Sequence, residues 1–115
     1  AGVIGKTIDN LKEAAAGEKD EWSELYPTFA RVAREEGFDK VADAFEHITE
    51  VEQVHEARYL KMLAHLEDGT MFKRSEPIKW QCRNCGYVHT GTEAPKTCPA
   101  CLHPQAYFEP MKNNY

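Results

Sequence analysis

Val51-Glu52-Gln53-Val54-His55-Glu56 sits in the middle of a helical pattern that runs from Asp39 to Asp68, and its reading decides the fold. The apolar stripe of that pattern is Val41, Phe45, Ile48, Glu52, His55, Tyr59, Met62 and Leu66, in steps of four and three. Such steps mark the buried seam of a helical bundle. Glu52 and His55 occupy seam positions. They also stand three residues apart, so their side chains point at the same spot. A carboxylate buried without a partner costs several kcal/mol, roughly 2 or more, and must be protonated, paired or bound to a cation.

The preceding segment repeats the feature. Its stripe reads Ile4, Ile8, Leu11, Ala15, Glu18, Trp22, Leu25, Phe29 and Val32, with Glu18 on the seam and Glu21 one turn on. Gly37 should end this first helix and Gly69 the second, with Thr7 and Asp39 as N-caps and a local kink at Pro27. So short a joint at Gly37 predicts an antiparallel hairpin. Glu18 lies 19 residues before Gly37 and Glu52 lies 15 after it, so the two polar levels meet within about one turn. One seam glutamate alone reads as a register device, and one helical histidine as a satisfied core residue. Both seams broken at one level, and only by metal-ligand types, instead point to a cation shared by Glu18, Glu21, Glu52 and His55. Glu-x-x-His with further glutamates is the di-iron or di-manganese pattern of helical bundles. Tyr26, two turns after Glu18, reads as a half-buried bundle tyrosine or as a hydrogen-bond donor to a ligand carboxylate. Lys12, Glu13, Arg34 and Glu56 fit a solvated face.

Past Gly69 the composition changes. Residues 70–79 read as a mixed linker, and from Trp80 onward Gly, Pro, Cys and aromatic residues replace the Ala/Glu pattern. The expected domains are a helical hairpin over 1–76 and a small module over 77–115. All four cysteines of the chain fall in that module, as Cys82-x-x-Cys85 and Cys98-x-x-Cys101. Two such turns place four thiolates at tetrahedral corners around one metal. Sulfur ligation of this kind suits zinc or iron, and spacing does not choose between them. A module this small needs the metal as a staple. Trp80, Tyr87, Tyr107 and Phe108 are expected to pack around it as a miniature aromatic core, with His89 and His103 at the surface.

The bulk composition narrows the field. Nineteen acidic and 14 basic residues give a net charge of −5, which argues against a nucleic-acid surface. No apolar run is long enough to span a membrane. The opening Ala1-Gly2-Val3-Ile4-Gly5 lacks the basic and apolar stretches of a signal peptide. Clustered cysteines without a disulfide pattern place the chain in a reducing, cytoplasmic compartment.

The sequence resembles the rubrerythrin family. The likeness is carried by Gly17-Glu18-Lys19-Asp20-Glu21-Trp22, Tyr26-Pro27-Thr28-Phe29-Ala30, Ala33-Arg34-Glu35-Glu36-Gly37 and Glu52-Gln53-Val54-His55-Glu56. It continues through Trp80-Gln81-Cys82-Arg83-Asn84-Cys85-Gly86-Tyr87-Val88-His89, Ala94-Pro95, Cys98-Pro99-Ala100-Cys101 and His103-Pro104. The resemblance implies half of a ferritin-like four-helix bundle followed by a rubredoxin-like domain. It implies a non-haem di-iron peroxidase that reduces hydrogen peroxide to water. Glu18 would be a terminal iron ligand, Glu52 a bridging carboxylate and His55 a ligand of the other iron. Glu21 would be the glutamate exchanged for a histidine on reduction, and Tyr26 a tyrosine beside the ligands. Cys82, Cys85, Cys98 and Cys101 would hold a mononuclear iron that relays electrons from a reductase or rubredoxin, ultimately from NADH. The family's first two helices have no counterpart here, so the bundle should be completed by a separate chain or by a second copy of this one, making an oligomer. Ferritin-like iron oxidation and storage, and a zinc-ribbon adaptor on a structural hairpin, are the rival readings.

Overall fold

A computed structural model describes residues 4–115. The chain divides into two compact units, Ala1–Glu67 and Asp68–Tyr115. The division falls before the expected step at 76/77, because a strand already begins at Lys73.

The first unit is helical. Helix α1 spans Thr7–Asp20, a π-helical segment spans Glu21–Leu25, α2 spans Tyr26–Glu35 and α3 spans Asp39–Glu67. Thr7 does not cap α1. Lys6 holds the cap position without a side-chain bond, and the Asn10 carboxamide closes the start by accepting from the Gly5 N–H at 2.7 Å. Ile4 lies ahead of the helix and is 93% exposed, so the expected stripe starts at Ile8. The turn between α2 and α3 follows from Gly37, whose φ of +83° suits a residue without a Cβ. Gly37 N–H donates to Arg34 O and Phe38 N–H to Ala33 O, which is a Schellman closure. Phe38, not Asp39, then sits at the N-cap, its carbonyl accepting from Ala42. Arg34 fastens the same corner through Asp39, Asp43 and Glu46, and so is not a free surface cation. Lys12 paired with Glu67 at the other end gives the antiparallel hairpin expected.

The main departure lies at the π segment. Pro27 has no N–H to donate, and the chain widens just ahead of it, where Tyr26 N–H bonds five residues back to Glu21 O. A π turn adds one residue to a helix without advancing its face. Up to Trp22 the inward positions match the expected stripe. Beyond it they become Tyr26, Ala30 and Ala33, each one residue later than Leu25, Phe29 and Val32. The latter three are 37–43% exposed. Ala15, Ala30, Ala33 and Ala42 are the buried contacts, so the helices approach over small side chains. In α3, which has no wide turn, Val41 and Met62 are exposed while their neighbours Ala42 and Leu63 face inward. The large apolar residues Phe29, Val32, Phe38, Val41 and Phe45 instead line an open groove.

The second unit is a three-stranded antiparallel sheet of β1 (Lys73–Cys82), β2 (Val88–Glu93) and β3 (Phe108–Pro110), in the order β2-β1-β3. The expected linker 70–79 is thus mostly strand. Its Pro77 is tolerated because the ladder is irregular between Lys73 and Ile78, where no N–H is required. Trp80, Cys82, Ala94, Cys98 and Phe108 form the core, with Tyr87 packed on it. Trp80 is fully buried and its indole donates to Gly91 O. Tyr107 lies outside this core and packs against the His103 ring.

Candidate metal centres

The thiolate site is built by two turns of one design. In the first, Gly86 N–H donates to Cys82 O and Cys82 N–H to Tyr87 O. In the second, Leu102 N–H donates to Cys98 O and Cys98 N–H to His103 O. Each turn needs a left-handed residue after its second cysteine: Gly86 at φ +82° and Leu102 at φ +62°. The four sulfurs lie within 4.8 Å of one another. Cys82 and Cys101 stand 3.7 Å apart, as do Cys85 and Cys98. A tetrahedron with metal–sulfur bonds of ~2.3 Å has edges of ~3.8 Å, so the cage has the right size for one ion. Its electrostatics are split. The His103 backbone N–H leads in lowering Cys101, which falls to about 6, and the Asn84 side chain adds to this. At Cys85 the Tyr87 N–H pulls down, but burial and the three neighbouring sulfurs outweigh it and push the thiol up to about 12. Four crowded thiols cannot all ionise unless a cation joins them.

The helical site is smaller. Glu18, Glu52 and His55 bring one ligand atom each within 4.8 Å of the others. His55 Nδ1 is 2.6 Å from Glu52 Oε2 and 3.5 Å from Glu18 Oε1. Burial, and then a hydrogen bond shared with Glu52 and that neighbour's charge, raise Glu18 above the ordinary carboxylate range, while His55 pulls it back. Glu18 and Glu52 are mostly enclosed, with 16% and 12% of their side chains exposed. Hard oxygens with one imidazole are a donor set for iron or manganese. Three donors leave a shell incomplete. Glu21 is half-buried and stands outside the tight trio, though its charge acts on Glu18 and Tyr26. Tyr26 is raised by burial and then by the charges of Glu21, Glu52 and Glu18. Its ring stacks on Phe45.

Two features escaped the sequence reading. Glu56, assigned to a solvated face, accepts a 2.7 Å hydrogen bond from the Trp22 indole. The signal was there, since a seam tryptophan carries a donor that needs an acceptor. Arg58, with Glu18, His55, Tyr59 and Met62, lines a cavity of about 260 Å³ beside the trio. No helix among the described residues is long and apolar enough to cross a membrane.

Fold and site together define a class: an antiparallel helical hairpin with a carboxylate–histidine cluster, followed by a tetrathiolate module. Known proteins share both parts. Residues 1–63 match the rubrerythrin family, and residues 80–109 match the rubredoxin-like domain of rubrerythrin. Rubrerythrin of Porphyromonas gingivalis is 64% identical over all of this chain, and that of Nitratidesulfovibrio vulgaris 50%. The chain spans 58% and 60% of the length of these two relatives. A solved structure of partially reduced nigerythrin is 32% identical and superposes with a TM-score of 0.55, over 96% of this chain and 52% of that one. The chain belongs to the rubrerythrin family. Its fold is the hairpin plus rubredoxin-like domain expected, the four-cysteine cluster fits a rubredoxin-like iron site, and the family carries a di-iron centre. Membership and the cysteine site together support an iron-based redox protein.

Proposed function

We propose that this chain supplies one half of a non-haem di-iron peroxidase that reduces hydrogen peroxide to water, with electrons relayed through its four-cysteine iron. The observation that carries the reading is the pairing, in one chain, of a metal-sized thiolate cage with a convergent Glu18–Glu52–His55 trio. Glu18, Glu52 and His55 hold iron, with Glu21 as a fourth, movable carboxylate. Iron bound there supplies the two electrons that, with two protons, turn one peroxide into two waters, and iron in the cysteine cage passes electrons singly. Burial and the Glu52 carboxylate raise Glu18, and a bound cation would favour its ionised form. The Tyr26 hydroxyl donates to a ligand carboxylate and keeps it oriented. Burial of Cys82 and Cys98 keeps water from half of the cage. The remaining ligands come from helices that cover the groove of Phe29, Val32, Phe38, Val41 and Phe45, whether a second copy of this chain or a separate one. A cytoplasmic reductase or rubredoxin, fed from NADH, delivers the electrons. An all-ferrous structure of the similar nigerythrin favours iron over zinc.

The test is Glu52→Ala in the assembled protein. Helical-site iron and peroxide turnover should vanish while the visible absorption of the ferric thiolate site stays. Retained turnover would defeat the assignment, and a colourless cysteine site would defeat the relay.

A further inference from the structure

The π segment is anchored on both sides. Ala15 is buried upstream of it, and Ala30 and Ala33 downstream. The extra residue therefore cannot be expelled without turning one anchored face away from α3. It can, however, migrate along the helix. Moving it one turn toward the N-terminus would carry Glu21 from one side of the wide turn to the other, a rotation of about 100°. Pro27 weakens the helix at this point, and one side-chain bond is placed to hold the wide turn against α3. Trp22, the second residue of the segment, donates its indole N–H to Glu56 Oε2 at 2.7 Å across to α3. Both side chains are half-buried. An indole can only donate and a carboxylate accepts strongly, so the bond is directional and charge-assisted. Trp22 adjoins Glu21, and Glu56 adjoins His55. The bond thus ties the neighbour of one proposed ligand to the neighbour of another.

We infer that the Trp22–Glu56 hydrogen bond is a latch that fixes the wide turn behind Glu21 and so sets the stance of the Glu21 carboxylate toward Glu18, Glu52 and His55. Trp22 and Glu56 are positioning residues for the metal centre, and this rests on the reading of the trio given above.

The test is a binding cycle with Mn²⁺ on the full chain, its thiolate site already filled with iron. Manganese prefers oxygen and imidazole donors to thiolates, so it reports on the helical site. The electron paramagnetic resonance of free Mn²⁺ gives the affinity. Trp22→Phe and Glu56→Leu should each weaken binding about tenfold, the usual loss when a partner behind a ligand is removed. Glu56→Gln, whose amide oxygen still accepts though without the charge, should lose clearly less affinity than Glu56→Leu. Glu21→Ala should cost about as much alone, and nothing more on top of Trp22→Phe, because both remove one interaction. A purely structural bond would lower melting temperature yet leave the Glu21→Ala loss undiminished in the Trp22→Phe background, and that result overturns the latch. Unchanged affinity in Trp22→Phe overturns it too. Absence of any Mn²⁺ binding that Glu52→Ala abolishes would sink the trio first, and the latch with it.

Discussion

The two cysteine turns make the same demand on matched positions and meet it with different residues, and that can be measured. Gly86 and Leu102 hold the same place in their turns, donating to Cys82 O and Cys98 O, and both have left-handed φ. For a residue with a Cβ that conformation costs ~1–2 kcal/mol. Leu102 bears the cost without compensation from packing, since 77% of it is exposed. Leu102→Gly removes the strain but admits a more flexible unfolded chain, which costs ~0.5–1 kcal/mol. The net expectation is a gain of ~0.5–1 kcal/mol. Gly86→Ala reverses the sign, adding the strain and recovering the entropy, for a loss of ~0.5–1 kcal/mol. Nothing lies within 4 Å of a Cβ built at Gly86, so the loss is conformational and not a clash. Urea unfolding of the iron-loaded protein, followed by the thiolate absorption, gives both values. If Leu102→Gly destabilises, or if the two substitutions shift the midpoint the same way, the equivalence of the turns is wrong.

Other consequences are reached more directly. Glu18 sits above its ordinary range, so the metal-free folded hairpin binds its proton more tightly than the unfolded chain does. Stability from this group is therefore greatest below the unfolded carboxylate pKa and is lost as pH rises through the raised value. Thermal melts of the metal-free protein should show that fall, and Glu18→Gln should flatten it; a melt that rises over the same window contradicts the sign. Ala42 is fully buried at the hairpin contact, so Ala42→Leu should overpack it and cost ~1–3 kcal/mol in denaturant unfolding, whereas the same change at exposed Ala57 should be near neutral.

Both clusters of candidate metal ligands were legible in the residues alone. Two Cys-x-x-Cys pairs carry their geometry in their spacing, because a turn that short can aim both thiols only one way. Glu18, Glu52 and His55 stood out because charged groups interrupt an apolar period, and they do converge. The hairpin joint was readable from Gly37 for the same local reason. The strand over Lys73–Cys82 was not readable, because Pro77 argues locally against pairing and one of its partners, Phe108–Pro110, lies far along the chain.

What the amino-acid order settled by itself was therefore whatever depends on neighbours within a turn or two: helical character, joint, thiolate pairs and the level of the polar seam. Only the tertiary structure decided which residues past Trp22 face inward. A constant period of 3.6 predicts Leu25, Phe29 and Val32, and a single π turn moves the face to Tyr26, Ala30 and Ala33. Pro27 marks where the helix is weakened, but the bond that ties the turn to α3, from Trp22 to Glu56, joins residues 34 positions apart. Periodicity has no term for an inserted residue, so the rotation becomes visible only when the two helices lie side by side.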